Sequence, residues 1–267
     1  MTLHLDRIEA VADAAAAEDG VEPFDEATWL ALRAGTEGWK VTATDVGVAL
    51  SHGEEHHLVV HPRARRRGLA KTLVSEVQGP AQAWSHGDHP AAAALAARFG
   101  FERVRDLWVM RRPMSEPLPP LTDVEIRAWT PAETGELLRV NAEAFAHHPE
   151  QGGMDEANLA ARMAEPWFDA AGLLVAMEGE RMLGFHWTKQ HSAELGEVYV
   201  VGIAPDAQGR GLGRALTLAG LHHLAGVGVA EVLLYVEADN HAARATYSRL
   251  GFTHADADTH VMYRREA

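Results

Sequence analysis

A chain of 267 residues that is 47% hydrophobic and 23% charged has ordinary globular composition and is long enough for two domains. Asp and Glu outnumber Lys and Arg by 38 to 24, a formal charge of −14, so a phosphate backbone is repelled at long range and nucleic acid is excluded as the main partner, whereas a cationic acceptor such as a free amine is suited. There is no cysteine, which excludes disulfides, thiolate metal sites and a cysteine nucleophile.

The start, Met1-Thr2-Leu3-His4-Leu5-Asp6-Arg7, lacks the basic-then-apolar pattern of a secretion signal. No apolar run approaches the ~20 residues of a membrane helix, so a cytoplasmic protein without a membrane partner is expected. In the first half, Leu58-Val59-Val60-His61-Pro62 reads as a strand end followed by the turn Arg65-Arg66-Arg67-Gly68-Leu69-Ala70. Further on stands Arg98-Phe99-Gly100-Phe101. Pro113-Met114-Ser115-Glu116-Pro117-Leu118-Pro119-Pro120 is then the most linker-like stretch, because prolines fix φ and remove backbone donors. The expected division is an N-terminal domain over 1–112, a linker over 113–121 and a C-terminal domain over 122–267.

The second half repeats the first. Val201-Gly202-Ile203-Ala204-Pro205 and Gln208-Gly209-Arg210-Gly211-Leu212-Gly213 match the earlier strand and turn at an offset of 143 residues. Arg249-Leu250-Gly251-Phe252 echoes Arg98-Phe99-Gly100-Phe101 at an offset of 151, and a surface loop is expected to absorb the difference of eight. Glu197 to Ile203 is rich in β-branched and aromatic residues and predicts a strand. Leu212, Ala215, Leu216, Ala219 and Leu224 recur at helical spacing and predict a helix from about Gly209 to Leu224. Glu231 to Val236 is a short apolar run of strand length, and Asn240 caps a predicted helix that runs through Arg249 and stops at Gly251. This alternation predicts an α/β fold.

The loop at Gln208–Gly213 carries the clearest chemistry. Glycines let backbone N–H groups approach a ligand closely, and a helix N-terminus adds positive dipole, so the loop forms an anion cradle suited to a pyrophosphate. The glycine spacing does not fit a dinucleotide-binding fingerprint. The wider pattern is a Gln/Arg-x-x-Gly-x-Gly/Ala loop after a strand, a second strand, then Asn240 opening a helix that carries Tyr247 and ends in Leu250-Gly251-Phe252. It resembles the GNAT superfamily of acetyltransferases.

That resemblance implies two tandem α/β domains of the GNAT fold, each a mixed sheet flanked by helices, with acetyl-CoA as co-substrate and no metal. It also implies that the strand before the loop splays at a bulge, expected near Gly202. Transfer to an amine needs a base for the ammonium, donors for the oxyanion and an acid for the departing thiolate. Glu197, on the strand leading to the loop, is the candidate base, and Tyr247 the candidate acid. The N-terminal copy keeps a cradle at Arg65, Arg66, Arg67 and Gly68, with Ala70 in place of the last glycine. Ala96 stands where the second copy has Tyr247, and His89 where it has Asn240, so the first copy is expected to lack transfer activity.

Further blocks narrow the resemblance: Leu138-Arg139-Val140-Asn141, His148-Pro149-Glu150-Gln151-Gly152-Gly153, Trp167-Phe168-Asp169, Gly184-Phe185-His186-Trp187-Thr188-Lys189, Gly196-Glu197-Val198-Tyr199-Val200 and Leu234-Tyr235-Val236-Glu237-Ala238-Asp239-Asn240. They are similar to the mycothiol synthase family, tandem GNAT enzymes of actinobacteria. The similarity implies that a monomer acetylates the cysteinyl amine of cysteinyl-glucosaminyl-inositol. Acceptor contacts then fall on Glu26, Glu150, Lys189, Glu197 and Tyr235. Acetyl-CoA contacts fall on Val201, Gly202 and Ile203, on Gln208, Gly209, Arg210, Gly211, Leu212, Gly213 and Arg214, and on Asn240, His241, Ala242, Ala243, Arg244 and Ala245. In the first copy they fall on Leu58, Val59 and Val60 and on Arg66, Arg67, Gly68, Leu69, Ala70 and Lys71. The family's arginine on the Asn240 helix falls here at Arg244. Two alternatives stay open on the residues alone: a GNAT enzyme for another small amine, and a silent acetyl-CoA sensor. The paired histidines His56-His57, His147-His148 and His222-His223 are not read as metal ligands, since neighbours on a strand point to opposite faces.

Overall fold

A computed structural model describes residues 2–35, 38–147 and 151–266, with the side chains of 2–4 left aside. It divides the chain into two compact units, one of residues 1–108 with 255–267 and one of residues 109–254.

The first unit opens with helix α1 (Thr2–Asp19) and α2 (Glu26–Ala34), the latter capped by the Asp25 carboxylate, which accepts from the Thr28 backbone N–H at 2.8 Å. An antiparallel run follows: β1 (Lys40–Ala43), β2 (Gly47–His52) and β3 (Glu55–Val60). Then come α3 (Leu69–Ser75), β4 (Ala81–Ser85), α4 (Pro90–Arg98) and β5 (Glu102–Pro113), the last of which runs on into the second unit. Ile8, Val11, Ala12 and Ala15 of α1 pack on Val48, Leu50 and Val59 to make the core, as apolar positions three and four apart on a helix should.

The second unit contains β6 (Ile126–Ala128), α5 (Thr134–Ala144), α6 (Glu156–Met163), β7 (Leu173–Glu178), β8 (Arg181–Gln190) and β9 (Leu195–Ile203). After these come α7 (Leu212–Gly226), β10 (Glu231–Glu237), α8 (His241–Arg249) and the start of β11 (Thr253–Arg265). Strands β6 to β9 are antiparallel neighbours, whereas β9 and β10 are parallel because a helix connects them. The core centres on Leu137, Val140, Leu173, Val175, Met182, Phe185, Trp187 and Leu216, all fully buried.

The predicted elements of the second half are present with small shifts at their ends. The helix starts at Leu212 and not at Gly209, because Gly209 and Gly211 both hold positive φ (+76° and +77°), a conformation outside any helix. Asn240 caps α8 as expected, its side chain accepting from the Ala243 N–H at 3.1 Å.

The repeat is visible in the backbone itself. The turn before α3 has Arg66 at φ +60° and Gly68 at φ +87°, the counterparts of Gly209 and Gly211. His89 caps α4 through its ring nitrogen and the Ala91 N–H, in the place of Asn240. The difference of eight between the two offsets is not taken up by a loop. It is the difference in helix length, seven residues in α3 against fifteen in α7, so the second copy carries two more turns over its sheet.

Strand β11 finishes in the first unit. Val261 to Arg265 pair antiparallel with Ser85 to Ala81 of β4, and Val261 and Tyr263 form a small core with Ala96. The expected linker holds Pro113 at the end of β5, and residues 117–122 carry no regular structure.

Candidate active site

Strands β9 and β10 are paired only from Leu195↔Glu231 to Val198↔Leu234. Beyond that rung they part, while 200–203 stay paired to β8 on the other side. The cause is a bulge. Against β8, Trp187 faces Val200 but Thr188 faces Val198, so Tyr199 is the extra residue and bends the strand. The bulge expected near Gly202 therefore lies three residues earlier. Gly202 has a packing reason instead: a Cβ there would meet the Phe185 ring at 2.6 Å.

Glu197 sits at the last rung but one before the strands part, and is only 5% exposed. Its Oε2 is 2.6 Å from Nε2 of His191, which lies in the turn between β8 and β9. Directly opposite on β8 is Lys189, also buried, with Nζ 4.7 Å from the Trp167 ring centre and 5.2 Å from that of Tyr199. Leu233 of β10 faces Glu197, so Tyr235, two residues on, is on the same side of the sheet. The Tyr235 phenol is pushed up by burial of its hydroxyl end and by the Glu197 charge, with Arg111 acting the other way. Lys189, Glu197 and Tyr235 are thus brought together. Of the remaining expected acceptor residues, Glu26 opens α2 of the first unit, and Glu150 lies outside the described residues.

Past the bulge the chain makes a short turn at Pro205–Ala207 and enters the glycine loop. At Gly209 and Gly211 no atom lies within 4 Å of where a Cβ would stand, so the space beside the loop that leads into the fifteen-residue α7 is open. That is the geometry a pyrophosphate needs, and it fits acetyl-CoA. Leu212 is instead buried in the core, Arg210 is paired with Glu178 at 3.0 Å, and Arg214 is exposed. Arg244 turns back to donate to the Ala238 carbonyl at the entrance of its own helix. Tyr247, on α8, is half-buried with its ring edge against Phe252, and burial pushes its phenol up to about 12.

The first unit has the same opening. Strands β3 and β4 pair only at Glu55↔Gln82, and beyond lies a cavity of about 500 Å³ lined by Leu58, Leu73, Val77, Ala83, Trp84 and Leu95. At the place of Tyr247 it has the buried Ala96. Residues 30–101 and 137–252 each match the model of the acetyltransferase (GNAT) family.

This chain belongs to that family.

Within the GNAT family the chain is 59% identical to the mycothiol acetyltransferase of a Nocardioides species, over 97% of this chain and 96% of the relative. It is 47% identical to the mycothiol acetyltransferase of Thermomonospora curvata, over 97% of this chain and 93% of that protein. The fold is shared with a tandem GNAT protein of the clavulanic acid pathway, with TM-score 0.68 at 18% identity over 98% of this chain and 95% of the other.

Three residues at this site went unnoticed in the sequence as functional neighbours: His191, Trp167 and Tyr199. His191 falls two residues beyond Lys189 and six before Glu197, which is hairpin spacing, and a hairpin read at that point puts its ring near the carboxylate. Trp167 stands in a block that carries the resemblance, but its place beside Lys189 is a contact made from a loop distant in sequence. Among the described residues no group of His, Cys, Asp or Glu is arranged to hold a metal ion, and no helix is long and apolar enough to cross a membrane.

Proposed function

We propose that the chain transfers the acetyl group of acetyl-CoA to the cysteinyl amine of cysteinyl-glucosaminyl-inositol, giving mycothiol and CoA. The observation that carries the reading is the buried Glu197 carboxylate at the mouth where β9 and β10 part, with Lys189 and Tyr235 on the same side. The relatives at up to 59% identity are named mycothiol acetyltransferases, which supports an acceptor that becomes mycothiol.

Acetyl-CoA brings the acyl group and leaves as the thiol. The chain does the rest. Backbone N–H groups at Gly209, Gly211 and the N-terminus of α7 hold the pyrophosphate, and the backbone of 201–203, beyond the point where β9 and β10 part, takes the pantetheine arm. An α-amino group has a pKa near 8 and is mostly protonated at neutral pH, so Glu197 removes its proton, directly or through water. The N–H groups past the bulge are donors to the oxygen where negative charge develops. As the C–S bond breaks, Tyr247 gives its proton to the departing sulfur and is reprotonated by the second proton that nitrogen loses on becoming an amide. A phenol held near 12 is protonated across the working range. Lys189 and Tyr235 donate to acceptor hydroxyls.

The first unit, in this reading, is the degenerate copy: without a phenol at Ala96 it performs no transfer, and Leu58–Val60 and Arg66–Lys71 hold a CoA-type ligand at most. The test is acetyl transfer by the purified chain to cysteinyl-glucosaminyl-inositol and to a panel of simple amines, with product identified by mass. A rate on the first acceptor far above the panel is expected. Activity confined to other amines discards the acceptor, and tight acetyl-CoA binding with no transfer to any amine replaces the enzyme by a sensor.

A further inference from the structure

We infer that His191 is a positioning residue for the base, holding one oxygen of Glu197 so that the other is aimed at the ammonium. The inference rests on Glu197 being the base.

The two groups meet at 2.6 Å, Nε2 to Oε2, a separation at which one proton must lie between nitrogen and oxygen. The ring therefore donates, and the carboxylate accepts with Oε2 while Oε1 keeps its lone pairs. Glu197 needs such a partner. It is almost fully buried, and a buried carboxylate left without a donor loses much of its hydration with nothing in return. It also has neighbours that can turn it: Lys189 across the β8–β9 rung and Tyr235 on β10. A carboxylate free to rotate among these has several orientations, of which only one serves the acceptor.

The imidazole is itself held in place. The His191 N–H donates to the Leu195 carbonyl at 2.9 Å, closing the hairpin, and Ser192 Oγ accepts from the N–H groups of Glu194 and Leu195 at 3.2 and 3.1 Å. The turn is thus built by its own side chain, and the ring it carries is fixed to the same two strands as the carboxylate. With a third of its side chain exposed, the ring also connects the buried carboxylate to solvent.

During turnover the ammonium N–H bond breaks, its proton goes to Oε1, and the electron pair stays on nitrogen for attack. His191 keeps its own proton throughout and gains or loses no bond. After the product leaves, Oε1 returns the proton to water, which accounts for the one proton released when an ammonium becomes an amide and a thioester becomes a thiol.

The experiment is a double-substitution cycle with His191→Ala, His191→Gln and Glu197→Gln on the full chain, read as kcat and KM for both substrates, with acetyl-CoA affinity by titration as the check on folding. His191→Ala is expected to lower kcat about tenfold or more, the scale of one lost hydrogen bond to a charge, with acetyl-CoA affinity unchanged. His191→Gln, whose amide nitrogen can stand in for Nε2, should recover most of it. On a Glu197→Gln background His191→Ala should have no further effect, because its target is gone. Wild-type kcat in His191→Ala, or an undiminished penalty on the Glu197→Gln background, overturns the role of His191 while Glu197 stays the base. A fast Glu197→Gln variant overturns the reading of the base itself.

Discussion

Tyr247 illustrates how one side chain obtains its chemistry from where the helix puts it. Asn240 fixes the start of α8, the helix carries the phenol two turns on, and packing against Phe252 removes water from the ring. Burial disfavours the phenolate and pushes the group up to about 12. On the proposed reading Tyr247→Phe should lower kcat about 100-fold with acetyl-CoA affinity nearly unchanged, since only the proton is lost. Steady-state rates beside a titration decide it, and equal rates for the two proteins refute the acid role. The same shift has a stability consequence whose sign is fixed. Between about pH 10 and 12 the unfolded chain gives up the phenolic proton while the folded chain keeps it, so stability falls as pH rises through that window. Denaturant unfolding at pH 9 and pH 11 should show a smaller loss for Tyr247→Phe than for the wild type.

At the scale of elements, the contact of α7 with β8 depends on a residue that is absent. Gly220 has the His186 ring directly over it, and a Cβ would enter that ring. Gly220→Ala should therefore destabilise the fold by about 1–3 kcal/mol, the usual cost of overpacking, seen as a lower denaturant midpoint with an unchanged slope. His186 is fully buried, its Nδ1 paired with the Leu216 carbonyl at 2.8 Å, and desolvation lowers its pKa to about 4. The unfolded chain binds that proton near pH 6.5 and the folded chain does not, so stability is lost as pH falls from about 6.5 towards 4. His186→Asn should flatten that slope in unfolding measured at pH 7 and pH 5, and an unaltered slope would show that other groups set the acid limit. These contacts also mark what the sequence discloses. The glycine loop, the Asn240 cap and the strand before the loop were legible because each depends on a few adjacent residues and the φ values they permit. The bulge was misplaced to Gly202 because a register shift at Tyr199 is set by which residues of β8 lie opposite, and no single segment records it. His191 was missed for the same reason: its meaning is a cross-strand distance.

The molecule as a whole shows a duplication whose ends have been traded. The repeat in the sequence places everything after the proline-rich stretch in one copy, yet residues 255–267 belong to the first unit, where Val261 to Arg265 supply a partner for β4 and Val261 and Tyr263 pack with Ala96. The two repeat offsets could not reveal this, because they compare residues in order along the chain, and membership of a unit is decided by what the last strand pairs with. A strand taken from the end of the chain makes the first unit dependent on residues about 180 positions from β4 in sequence. Deleting 255–267 should accordingly unprotect β4, leaving Ala81–Ser85 without the neighbour that now satisfies their backbone groups. Hydrogen exchange read residue by residue is the measurement: the amides of Ala81, Ala83 and Ser85, which alternate with the Gln82 N–H bonded to the Glu54 carbonyl, are slow in the full chain and fast in the truncated one, whereas those at Leu173–Val175 in the core of the second unit are slow in both. Equal protection of Ala81, Ala83 and Ser85 in the two proteins would mean that the first unit folds without the borrowed strand, and that the two copies can be separated at the proline-rich stretch after all.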